Sequence, residues 1–275
     1  EVVERQWAGE VRGEKPDARR EPAPDRMFRR AAAGRPSRLW RERAMNGAAR
    51  EPRRQLRLLS FNIQAGFSIE SYRHYVTKGW QHVLPHPDKR RNLGEIAGLV
   101  AHYDFVALQE ADAGSLRSGF QNQVQYLADK ADFPFWSHQP NRKVVRVAEP
   151  SNGVLSRFEP SAVIDHRLPG AIPGRGALEV QLGSGANALR IFIAHLALTP
   201  GARRRQVAYL TEAIGMHPHV ALMGDLNCTV EGGELKPIFA QTRMLPPADE
   251  SSTVPSLRPR RAIDHILVSE ALKPL

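Results

Sequence analysis

The stretch "LMGDLNC" (222–228) carries an aspartate and an asparagine one residue apart, Asp225 and Asn227, where an apolar run ends. A carboxylate can take a proton from water or hold a metal ion, and a carboxamide can donate hydrogen bonds to an anionic oxygen. Side chains alternate faces along a strand, so this spacing puts Asp225 and Asn227 on one face and Leu226 on the other. Gly224 leaves room for a close backbone approach beside them. Asp and Asn also favour turns after strands, so the pair alone is ambiguous. The pattern recurs, however. Asn62 in "SFNIQ", Glu110 in "LQEAD" and His195 in "IAHLAL" each follow an apolar run, and Asp264 in "AIDHIL" lies in a fifth. Strands ending at one edge would gather these side chains into one pocket.

The elements that must position them are legible as short apolar runs rich in β-branched and aromatic residues. Residues 56–64, 104–110, 187–198, 219–227 and 261–269 read as buried strands, and "SAVIDHRL" and "GALEVQLG" as two more. Between them, 89–103, 120–131 and 202–217 repeat their apolar residues near a 3.6 period, as amphipathic helices do. Strands and helices mixed this densely imply an α/β layered domain with helices packed over sheets.

Composition bounds the function classes. The 275 residues, 41% hydrophobic and 25% charged, suit a soluble globular protein with a sizeable core. No apolar run approaches the roughly 18 residues of a membrane span. The first twenty residues lack the apolar centre of a secretory signal and are too acidic for a mitochondrial presequence. Cys228 is the single cysteine, so no intrachain disulfide can form, and a reducing cytoplasm fits. The net charge of +10 is uneven: residues 1–54 hold 15 Lys and Arg against 9 Asp and Glu, leaving only +4 for the rest. That Arg-, Ala- and Pro-rich extension lacks apolar periodicity and is expected to be disordered, with 55–275 forming the domain. An exposed basic arm can bind phosphates non-specifically, but the stronger reading is a mere extension.

Taken in order, "FNIQ", "LQE", "SNGVLSR", "HLAL", "GDLN" and "IDHILVS" resemble the endonuclease/exonuclease/phosphatase superfamily over roughly 56–270, the GDLN-type motif being the most specific. That superfamily includes deoxyribonuclease I, exonuclease III, sphingomyelinases and inositol polyphosphate phosphatases. "YRHYVTKGWQHVLPHPDKRRNL" and "LPGAIPGRGAL" are similar to a bacterial subgroup within it. The resemblance implies a deoxyribonuclease I-like four-layer α/β sandwich, two packed mixed sheets flanked by helices. It implies Mg²⁺- or Mn²⁺-dependent hydrolysis of a phosphate ester. Position by position, it makes Glu110 and Asn62 metal ligands and Asp225 the residue that orients or deprotonates the attacking water. It makes Asn227 and His195 phosphate contacts, His195 also able to supply a proton. Asp264 matches an aspartate that holds a second histidine, and Asn152 in "SNGVLSR" is either a substrate contact or turn chemistry.

The expected substrate is a nucleic acid or a phospholipid headgroup, as a phosphodiester, with no obligate protein partner. The small charge of the globular part lowers the nuclease reading. A phosphomonoesterase and a catalytically dead phosphate-binding module are the alternatives. The family pattern ends in a Ser-Asp-His motif, whereas this sequence stops at "SEALKPL"; a missing last strand, a missing histidine and a bare edge beside 261–269 are therefore expected. Beside Asp264, His265 points to the opposite face and reads as structural. Trp80, His82 and His86 line a groove or belong to a surface loop, and Arg203, Arg204 and Arg205 read as a solvated charge run.

Overall fold

The computed structural model describes residues 2–7, 29–30, 54–63, 87–115, 118, 120–140, 150–170, 175–247 and 261–274. Trp80, His82 and His86 lie outside them, as does most of the 1–54 extension. Of that extension Val2–Trp7 (β1) and Arg29–Arg30 (β2) are described, each paired into the first sheet.

The apolar runs read as strands become Arg54–Asn62 (β3), Phe105–Asp112 (β4), Leu189–His195 (β9), Val220–Asp225 (β10) and Asp264–Ser269 (β12). "SAVIDHRL" and "GALEVQLG" supply Ala162–Arg167 (β7) and Gly176–Leu182 (β8). Three strands without an alternating pattern join them: Phe135–Pro140 (β5), Pro150–Ser156 (β6) and Met244–Leu245 (β11). Lys273–Pro274 (β13) completes the set. The helices are Pro87–Val100 (α1), Gln123–Lys130 (α2), Pro200–Ile214 (α3) and the short Lys236–Gln241 (α4). Their ends follow local chemistry. Asn122 caps α2 by accepting from the Gln125 N–H at 3.1 Å, Pro200 opens α3, and Gly215 at φ +55 ends it.

One sheet has the order β13-β1-β3-β4-β6-β5-β2 and the other β11-β12-β10-β9-β8-β7. Parallel pairs β3–β4 and β9–β10 are joined through α1 and α3, and most other pairs are antiparallel. Leu56, Leu58, Phe105, Ala107 and Val154 of the first sheet meet Leu178, Ile191, Ile193, Met223 and Ile266 of the second in the central core. Outer cores seat α1 and α2 on the first sheet and α3 and α4 on the second. The layers run helix, sheet, sheet, helix, which is the expected four-layer sandwich. The outer edge of β12, expected to be bare, carries β11 through Met244↔Ser269 and Leu245↔Val268.

Behind the second sheet, buried Glu179 accepts from Arg190 Nε at 2.7 Å and Gln181 Nε2 at 2.7 Å, and lies 2.9 Å from His166 Nε2. Burial alone would raise its carboxyl, but these bonds and the Arg190 charge hold it down to about 2. His166 Nδ1 in turn lies 3.0 Å from the Tyr209 hydroxyl, so the network pins α3 to the sheet.

Candidate active site

Inward positions of neighbouring strands turn polar at one end of the central core. Along β3 the inward Leu56 and Leu58 give way to Ser60 and Asn62; along β4, Phe105 and Ala107 give way to Gln109. Strand β9 runs from Ile193 to His195, β10 from Met223 to Asp225, and β12 begins at Asp264 before Ile266. The period of two that builds the apolar core therefore delivers these groups to one site. Asp225 is its centre. In register it lies beside His195 on one side and Asp264 on the other. From the opposing sheet Asn62 Nδ2 donates to Asp225 Oδ2 at 3.3 Å. His195 Nε2 is 3.6 Å from the same oxygen, a contact longer than a hydrogen bond.

This closeness depends on Gly224. It lies at φ +137, and a Cβ there would overlap the Ala194 carbonyl oxygen of β9. Both groups flanking the pair are shifted toward their neutral forms. Burial, then the Asp264 charge, pushes the Asp225 carboxyl up to about 6, with Glu110 adding to the rise and hydrogen bonds from the Asn227 N–H and Asn62 opposing it. Burial, then the Arg175 cation, pushes the His195 imidazole down to about 3. A dry pocket outweighs the attraction between the two partners. Two aspartates directly opposite on an antiparallel pair cost stability unless a proton or a cation relieves them.

Glu110 stands at a β-bulge: the β4–β6 register shifts between Leu108 and Ala111, and Glu110 itself has φ +56. A non-glycine residue held there is strained by about 1–3 kcal/mol, and such strain gathers at functional sites. The bulge sets Glu110 just past Gln109, which pairs with Asn62 across β3–β4. Among the described residues no three His, Cys, Asp or Glu groups converge as a metal cage. A hard divalent cation that keeps most of its waters needs less: one carboxylate and one carboxamide oxygen. Glu110 and Asn62, beside the mutually repelling Asp225 and Asp264, fit that requirement.

Other expectations need correction. Asn227 does not share a strand face with Asp225, because β10 ends at Asp225 and Asn227 turns to φ +53. Its backbone N–H donates to Asp225 Oδ1 at 3.0 Å and its Nδ2 to the Leu196 carbonyl at 3.0 Å, so it ties two site loops together. Asn152 is no turn residue. It is fully buried in β6 and bridges the sheets, donating to the Gly176 carbonyl at 2.9 Å and to Gln139 Oε1 at 3.3 Å. Arg203 is not solvated either. It is buried, forks onto Glu234 with Nε and Nη2 both at 3.1 Å, and caps the Ala197 and Leu198 carbonyls. Arg204 and Arg205 are exposed, as a charge run would be. His265 faces away from the site, 2.8 Å from the Cys228 carbonyl. Buried Gln109 and the half-buried Arg175 carry no signal in the sequence; Arg175 follows "AIPG" with nothing but glycines to mark it.

The sequence matches the profile of the Endonuclease/Exonuclease/phosphatase family across residues 59–275. No curated protein sequence matches significantly. Among solved structures, an endonuclease/exonuclease/phosphatase family protein from Leptotrichia buccalis C-1013-b superposes with TM-score 0.57 at 13% identity, over 78% of this chain and 87% of that one. A mannosyl-6-phosphatase from Bacteroides thetaiotaomicron VPI-5482 gives 0.54 at 14% identity, over 78% and 85%. Sphingomyelinase C from Streptomyces griseocarneus gives 0.50 at 19% identity, over 78% and 82%. At these identities the likeness is one of fold.

Proposed function

The chain belongs to the endonuclease/exonuclease/phosphatase family, and on that premise we propose that its 55–275 domain hydrolyses a phosphodiester at the polar end of the inter-sheet core. The observation that carries this is the convergence of Asn62, His195 and Asp264 on Asp225 from three other strands in both sheets. A core spends buried polar groups in this way where chemistry needs them.

In this reading Glu110 and Asn62 would hold a Mg²⁺ or Mn²⁺ ion, which would supply Lewis-acid polarisation of a phosphoryl oxygen and charge stabilisation for the leaving alkoxide. Asp225 takes a proton from the attacking water, and burial, with the Asp264 charge beside it, raises its basicity toward the working pH. Asn227 has a second Nδ2 hydrogen to give to a phosphate oxygen. His195, uncharged at neutral pH, offers a ring N–H to the phosphoryl group and gains proton affinity as that anion enters. Asn152 fixes the floor from β6.

The likeness to a mannosyl-6-phosphatase keeps a phosphomonoester as the second reading. A panel of bis(p-nitrophenyl) phosphate, p-nitrophenyl phosphate, plasmid DNA and sphingomyelin vesicles, with Mg²⁺, Mn²⁺ or excess EDTA, decides. Metal-dependent release from a diester supports the proposal. Cleavage of the monoester alone supports the second reading, and no turnover on any substrate contradicts both.

A further inference from the structure

We propose that Arg175 is a substrate-binding residue of this site, its guanidinium gripping the non-bridging oxygens of the phosphoryl group. The inference rests on the phosphate-ester reading above and adds a residue and a role to it.

The placement follows from the sheet. In the β8–β9 ladder Ala177 pairs with Ala194, so the same antiparallel register brings Gly176 opposite His195, and Arg175 is the residue just before it, where the chain enters β8. Side chains of the opposite sheet fix the start of β8. Asn152 donates to the Gly176 carbonyl at 2.9 Å, and Gln139 Nε2 donates to the Ala177 carbonyl at 3.2 Å and the His166 carbonyl at 3.4 Å. A Cβ at Gly176 would meet the side-chain amide of Gln139, which packs directly on this backbone. The Arg175 carbonyl accepts from the Leu168 N–H at 3.2 Å. The backbone that carries the guanidinium is therefore built from both sheets.

The surroundings are those of a cation waiting for an anion. Arg175 lies within electrostatic reach of Glu110, Asp225 and His195 while being half removed from water. Among the described residues the other arginines withdrawn from water are committed: Arg57 to Asp104, Arg157 to the carbonyls of Ala101, Tyr103, Ala131 and Asp132, Arg190 to Glu179, and Arg203 to Glu234. Among the described residues no carboxylate or carbonyl holds the Arg175 guanidinium, although its neighbours are acidic. Desolvating a planar, five-donor cation without a partner is costly, and phosphate supplies the matching fork of oxygens. Fully buried Asn152 Oδ1 and Gln109 Nε2 also have no partner among the described residues.

The alternative is that Arg175 only neutralises the carboxylates. Calorimetric binding of inorganic phosphate to the whole chain, in Mg²⁺ buffer, separates the two. Wild type and Arg175→Gln are compared, with Arg175→Lys as the variant that keeps the charge and loses the fork. We expect Arg175→Gln to bind phosphate at least about tenfold more weakly, the loss of a charge-assisted contact, with Arg175→Lys in between. Phosphate affinities within twofold of wild type in both folded variants overturn the proposal, as does a wild type that binds no phosphate. Ester hydrolysis is read separately. Turnover with unchanged phosphate binding sinks the Arg175 role alone, whereas Arg175-dependent phosphate binding without turnover sinks the hydrolase reading alone.

Discussion

Gly224→Ala tests whether the backbone contact beside Asp225 matters. At φ +137 an L-residue is strained by about 1–3 kcal/mol. The new methyl would also overlap the Ala194 carbonyl oxygen, so β9 and β10 would have to part by roughly 1 Å, overpacking worth about 1–3 kcal/mol. The two costs together predict a loss of about 2–6 kcal/mol, or about 4–24 °C in melting temperature for a domain of this size. The displacement falls between Ala194 and Gly224, the residues immediately before His195 and Asp225. Turnover should therefore fall about 100-fold, the usual consequence of ångström-scale misplacement. Gly98→Ala is the matched control. It lies exposed in α1, where an added methyl meets nothing within 4 Å, and should raise the melting temperature by about 1–3 °C without changing turnover. Differential scanning fluorimetry and initial rates on both variants suffice. A Gly224→Ala protein that melts within a degree of wild type and turns over normally would refute the reasoning.

Two further perturbations probe the frame around the site. The Glu179 carboxyl, ordinarily near 4.5, is held at about 2 in the fold, a difference worth about 3 kcal/mol. Because the folded value is the lower one, this stability is present above pH 4.5 and is lost as pH falls toward 2. Glu179→Gln should melt about 5–10 °C lower at neutral pH and show a flatter acid limb in melting curves taken between those values. Arg203→Lys keeps a charge but loses the fork on Glu234 and the caps on the Ala197 and Leu198 carbonyls, so it should cost about 1–3 kcal/mol and slow turnover, while Arg204→Lys at the exposed neighbour changes neither by melting or rate assay.

What could be read in advance divides along the reach of local rules. Asn62, His195, Asp225 and Asp264 were legible because each continues a period-two apolar run whose phase fixes the inward face. Gly224 was legible for the same reason, as a residue without a side chain in a packed strand. Asn227 defeated the rule because the strand stops two residues earlier and the chain turns left-handed. The arginine run misled because three consecutive cations look solvated, yet helical geometry turns only Arg203 inward with Val207, Leu210 and Ile214. β5, "FWSHQP", and β6, "PSNGVLS", lack alternation, and their pairing is set by β4 and by each other. Arg175 carries no periodic signal. It is brought to the site by amides 24 and 38 residues away from the backbone they hold.

The claim that Asp225 is the working centre of a hydrolytic site is tested most directly by Asp225→Asn. A carboxamide is nearly isosteric and cannot accept the proton of the attacking water. The account predicts that kcat on the best phosphodiester of the panel falls by about 10²–10⁴-fold while the melting temperature is not lowered. A variant that folds normally and retains a near-normal rate would contradict it.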